Sequence, residues 1–83
     1  MDRDEKIKEA QEVLNWAIVQ LNLNFHCKVM DYKYENYRVQ FFTKENKLIM
    51  PVQIPGEWIR GSNPRENFVD DRLKALLANL ANY

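Results

Sequence analysis

The chain has 83 residues, 46% of them hydrophobic, and its twelve Lys and Arg are balanced by twelve Asp and Glu. This length makes one domain, residues 1–83, with a thin core; the composition excludes disorder, and neutrality removes any chain-wide pull toward nucleic acid or an anionic membrane. A single cysteine excludes an intrachain disulfide, the charged start MDRDEKIKEA lacks a signal peptide's apolar run, and no stretch reaches the ~20 apolar residues of a membrane span, so a cytoplasmic protein is expected.

Residues 4 to 23 read as a helix. Asp2 or Asp4 can cap it, and its early acids suit the positive end of the helix dipole. Ile7, Ala10, Leu14, Ala17, Ile18 and Leu21 fall on one face at helical spacing. Trp16, Val19 and Leu23 fall on nearly the opposite face. That second stripe is either covered by another part of the chain or is a surface for a partner.

The stretch YKYENYRVQFFTKENKLIM, from Tyr32 to Met50, contains Glu-Asn twice. Treating Glu35-Asn36 and Glu45-Asn46 as two-residue hairpin turns builds a three-stranded antiparallel meander. Tyr34 then faces Tyr37, Tyr32 faces Val39 and Met30 faces Phe41; on the other side Thr43 faces Leu48, Phe41 faces Met50, Val39 faces Val52 and Tyr37 faces Ile54. One sheet face carries Met30, Tyr32, Tyr34, Tyr37, Val39, Phe41, Leu48, Met50, Val52 and Ile54 as the core. The other carries Asp31, Lys33, Arg38, Gln40 and Gln53 as a solvated face. Pro51 makes the third strand an edge strand. Phe25, Cys27 and Val29 have the wrong parity for the core, and a bulge near Met30 would correct it.

Pro55-Gly56 suits the centre of a type II turn. Asn63-Pro64-Arg65-Glu66 reads as a helix start, with a second helix from about Pro64 to Asn82. Val69, Leu73, Leu76, Leu77 and Leu80 form its apolar face, and Asp70 and Lys74 are placed to pair one turn apart. The fold expected is α+β: helix, three-stranded antiparallel meander, helix, with both helices packed on one face of the sheet.

No constellation of catalytic groups emerges. His26 and Cys27 are adjacent, but in a strand they point to opposite faces and form neither a dyad nor a shared metal site. Glu66, Asp70 and Asp71 suit the dipole at the start of the second helix better than acid–base chemistry. Gly56 and Gly61 have no phosphate-cradle spacing. No cofactor and no metal is implied.

Candidate contact residues do emerge. The two-residue turns place Val29, Phe42 and Ile49 in one apolar row across the supposedly solvated sheet face, and contiguous apolar rows of this kind mark contact sites; a bulge near Met30 would instead move Val29 inward and leave Phe42 and Ile49 as a cross-strand pair. Trp58, between the two glycines, is either a plug at the sheet edge or a recognition residue.

The element order, over nearly the whole chain, resembles the double-stranded-RNA-binding domain. Members of that family grip phosphates with lysines at the start of the second helix. The matching stretch, NPRENFVDDRLKALL, offers Arg65 followed by Glu66, Asp70 and Asp71, so the resemblance implies the topology and transfers no binding residue. The expected function is a non-enzymatic protein-interaction domain. It would associate with a partner or as a homodimer through the Val29–Phe42–Ile49 row, the Trp16–Val19–Leu23 stripe or pairing of the third strand. The alternatives are RNA binding on the open sheet face, with Lys28, Lys33, Arg38 and Lys44 around Phe42, and, last, a small-ligand or enzymatic role.

Overall fold

The computed structural model describes residues 2–82. Helix α1 spans Arg3–Gln20, strands β1, β2 and β3 span Phe25–Lys33, Asn36–Thr43 and Leu48–Pro55, a short α2 spans Gly56–Arg60, and α3 spans Asp71–Leu80 after a 3₁₀ turn at Pro64–Glu66. The sheet is antiparallel in the order β1-β2-β3. The helices cover one of its faces, as the α+β reading requires, and the other face stays open.

Asp2 caps α1, its side chain accepting from the Glu5 N–H at 2.9 Å. The helix stops at Gln20, three residues before the sequence pattern runs out. Asn22 adopts a left-handed conformation, φ 55°, and the Leu23 N–H donates to the Ile18 carbonyl. This Schellman arrangement turns Leu23 back against the core instead of extending the outer stripe. Ala10 and Ala17, both fully buried, let α1 approach the sheet closely, with Val13, Leu14 and Ile18 packing beside them.

The meander forms, but both turns differ from the two Glu-Asn turns. The first is Tyr34-Glu35, with φ of 53° and 62°, so Lys33 pairs with Asn36 and Tyr32 with Tyr37. Charge explains the one-residue displacement. A turn at Glu35-Asn36 would set Lys33 opposite Arg38, whereas the observed register sets Asp31 opposite Arg38. Asn36 supports the turn from outside, its side-chain amide donating to the Tyr34 carbonyl at 3.1 Å. Tyr34 therefore leaves the core face for the tip, 84% exposed.

The second turn is an odd loop. Asn46 takes φ 66°, its N–H donates to the Thr43 carbonyl, and Thr43 pairs with Lys47 rather than Leu48. Such a loop would flip every side chain of β3 if uncorrected. The correction is a bulge at Ile49: Phe42 pairs with Leu48, and Phe41 with Met50. Beyond it Val39 faces Val52 and Tyr37 faces Ile54, as the sequence pattern requires.

The bulge at Met30 is present, with Val29 opposite Val39 and Asp31 opposite Arg38. It turns Phe25, Cys27 and Val29 into the core alongside Tyr37, Val39, Phe41 and Ile54. Met30, expected inside, is 47% exposed, and Leu48 is 53% exposed.

After β3 no type II turn forms. Pro55 has φ −57° and ψ 136°, but Gly56 enters α2 and no described glycine has positive φ. The second helix is divided. Asn63 caps only the 3₁₀ turn, left-handed Asn67 ends it, and α3 starts afresh behind Asp70, whose carboxylate accepts from the Arg72 N–H at 2.9 Å. Asn and Asp satisfy helix ends better than interiors, which favours two starts over one continuous helix. The Asp70 carboxylate is bound by the Arg72 guanidinium at 2.9 Å, not by Lys74. Gly61 is needed here: a Cβ on it would run into Asp70 Oδ2. Leu73, Leu77 and Leu80 bury the inner face of α3, and Val69 is buried just ahead of its cap.

Candidate interaction surface

The two bulges decide what the open sheet face carries. Val29 is buried in the core, and Ile49, as the bulged residue, packs half-buried against it. The predicted Val29–Phe42–Ile49 row therefore does not exist. Phe42 does remain on the open face. Its neighbours there are His26 on β1 and Leu48 on β3. The His26 and Phe42 rings stack with centroids 5.4 Å apart and planes 19° from parallel. A row still crosses all three strands, built from different partners: the apolar pair Phe42 and Leu48, with the His26 imidazole stacked at one end. His26 stands in the place expected for Val29 because the first turn lies one residue earlier, which moves the partners by two, and the Met30 bulge moves them by one more; Leu48 replaces Ile49 because the second loop is odd.

Below this row the face is polar and basic. Lys28, Lys33 and Arg38 are exposed on it. Its one acid, Asp31, pairs with Arg3 of α1 at 3.3 Å and also accepts from the Tyr32 N–H. A shallow groove of about 490 Å³ runs between Met30, Asp31, Arg38, Gln40, Pro51 and Gln53. Among the described residues, the ion pairs are Arg3 with Asp31, and Arg72 with Glu57 and Asp70; Lys28, Lys33 and Arg38 join none.

The sheet edges are closed to strand pairing by two different devices. On β1, the Gln11 side-chain amide donates to the Cys27 carbonyl at 3.0 Å and accepts from the Val29 N–H at 2.8 Å, occupying the edge as a neighbouring peptide would. On β3, the Gly56 N–H donates to the Glu35 carbonyl at 2.8 Å. Antiparallel pairs alternate between bonded and non-bonded, so Ile54, Val52 and Met50 face β2 while Pro55, Gln53 and Pro51 face the edge. Two of those three have no N–H to offer, as suits a protected edge. Pairing through the third strand has little to work with.

The Trp16–Val19–Leu23 stripe separates. Trp16 and Leu23 are half-buried against the core, and Val19 alone is 79% exposed. Trp58 is half-buried at the α2–α3 junction with the Arg72 guanidinium 5.9 Å from its ring centre. Around it the polar groups are mutually satisfied: Ser62 Oγ donates to the Trp58 carbonyl and accepts from the Asp70 N–H. The Arg72 guanidinium holds the Asp70 carboxyl below its ordinary range. This network fixes the backbone around Trp58, while its ring stays half-buried beside Arg72.

His26 and Cys27 lie on opposite faces, His26 exposed and Cys27 buried. Burial pushes the Cys27 thiol up to about 11, outweighing a weak hydrogen bond from Gln11. It is a packed thiol rather than a nucleophile at neutral pH. Among the described residues no three His, Cys, Asp or Glu side chains gather closely enough to hold a metal ion, and no helix is long and apolar enough to cross a membrane.

Comparison with family models, with curated proteins and with solved structures finds no match to this chain.

Proposed function

We propose that this chain is a non-enzymatic interaction domain that docks a protein surface, a second copy of itself included, on the open face of its sheet. One observation carries the reading: the His26–Phe42–Leu48 row crosses all three strands on the face that no helix covers. Single exposed apolar residues are ordinary on a protein surface, whereas a continuous row on an otherwise charged sheet face marks a contact. A cytoplasmic location belongs to the same reading and rests on the lone cysteine.

Molecular mass measured across a dilution series at low and high salt tests it. Association that grows with concentration, survives high salt and is lost in Leu48→Ser supports the reading. A Leu48→Ser variant that associates like the wild type refutes it. The near-parallel His26–Phe42 rings beside unpaired Lys28 and Arg38 favour one alternative, stacking of single-stranded nucleic acid bases. That binding would fall steeply with salt, because phosphate contacts release counterions.

A further inference from the structure

Taking the sheet-face reading as its basis, we infer that the surface received there is the outer face of α1 of a second copy, so that molecules associate head to tail. The chain carries both halves of this contact on opposite sides. The open sheet face presents Lys28, Lys33 and Arg38, none in an ion pair. The solvent side of α1 presents Asp4, Glu5, Glu9 and Glu12, also exposed and unpaired among the described residues, against one cation, Lys8. Of the other two cations of α1, Arg3 is paired with Asp31 and Lys6 lies over the Tyr32 ring, so the unpaired charge is basic on the sheet face and acidic on the solvent side of α1.

The apolar positions agree in place as well as in kind. On the sheet, the His26–Phe42–Leu48 row lies four residues along β2 from Arg38, roughly 13 Å at the rise of an extended strand. On α1, Glu5, Glu12 and Val19 fall seven apart on one line, with half-buried Trp16 beside Val19. Val19 lies roughly 10–15 Å from Glu12 and Glu9 at the helical rise per residue. Laying α1 on the neighbouring sheet with Val19 against Leu48 and Phe42 therefore brings Glu9 and Glu12 over Lys28 and Arg38. Each sheet then has a helix on both faces, its own beneath and a neighbour's above, a standard layer arrangement.

Charge also argues against the symmetric alternative. Two sheet faces meeting with their basic ends aligned would set Lys28, Lys33 and Arg38 against their own copies, and like charges across an interface are costly; turned end for end about the His26–Phe42–Leu48 row, they would give those cations no acidic partner. A head-to-tail contact leaves one free surface of each kind at the ends of a pair, so association continues past dimer to closed rings or open chains.

Two sets of exposed substitutions test this, each checked by circular dichroism and thermal melting for an intact fold. The sheet set is Lys28→Ser, Arg38→Ser and Leu48→Ser; the helix set is Glu9→Gln, Glu12→Gln and Val19→Ser. The wild type should grow past dimer with concentration. Each set alone should self-associate roughly tenfold or more weakly. Mixed one to one, each supplies the surface the other lacks, and the mass should stop at dimer. If the helix set assembles like the wild type while the sheet set does not, the head-to-tail inference fails and the sheet-face reading survives. If the sheet set assembles like the wild type, both fail. A wild type that stays monomeric at every concentration overturns the inference, whether or not it binds a single-stranded oligonucleotide.

Discussion

Removing the Gln11 amide should destabilise the fold by more than an ordinary surface substitution on a helix. Its two bonds to β1, 3.0 Å to the Cys27 carbonyl and 2.8 Å from the Val29 N–H, each contribute about 1 kcal/mol net. In Gln11→Ala both peptide groups lose their partner in a half-buried site, and the better helix propensity of Ala returns only a few tenths of a kcal/mol. The expected loss is about 2–3 kcal/mol by urea unfolding, with the slope unchanged. Gln11→Glu separates the two bonds. At neutral pH its carboxylate still accepts from Val29 but faces the Cys27 carbonyl with no proton to give. Protonation restores the donor, so the pKa of this carboxyl is raised in the folded state above its ordinary value. Its stability is then fully present at low pH and lost as pH rises through the raised pKa. Relative to the wild type at each pH, Gln11→Glu should recover stability between pH 7 and about pH 4. A Gln11→Ala cost within about 0.5 kcal/mol, or a Gln11→Glu deficit that ignores pH, would refute the edge-capping argument.

Phe41→Ala should cost about 3–5 kcal/mol, since Phe41 is fully buried, while Phe42→Ser should cost about 1–2 kcal/mol for a half-buried ring that loses its stack on His26; equal losses in chemical denaturation would overturn the face assignment. Replacing Tyr34-Glu35 by Asn-Gly should stabilise the hairpin by about 1–2 kcal/mol, because both residues hold positive φ that Asn and Gly adopt more readily. A lowered melting temperature in that variant would show that the turn is held by contacts of Tyr34 and Glu35 themselves. Cys27 should react with a thiol reagent about 100-fold or more slower than a free cysteine in the native state and at an ordinary rate in urea, since its thiol is raised from 9.0 to about 11. The same shift favours the native fold fully below pH 9.0 and fades as pH rises through about 11, so the Cys27→Ala variant should show a shallower alkaline loss of stability than the wild type.

The sequence by itself determined the alternation of Tyr37, Val39 and Phe41 inward with Arg38, Gln40 and Phe42 outward, because a strand's two-residue period leaves no other assignment once one face must be apolar. It likewise determined the apolar faces of α1 and α3 and the order of the elements. It could not place the turns, because Tyr34 and Glu35 are poor residues for the conformation they hold. Their position is decided across strands, by setting Asp31 rather than Lys33 against Arg38. Nor could local pattern reveal the Ile49 bulge, which exists only to undo the odd loop at Asn46. Each change of register exchanges a neighbour of Phe42: the displaced turn and the Met30 bulge together replace Val29 by His26 on one side, and the odd loop replaces Ile49 by Leu48 on the other. The candidate surface was therefore visible in the sequence at its centre and hidden at both ends, since side-chain parity is local while register is settled only when three strands pack against the same helices.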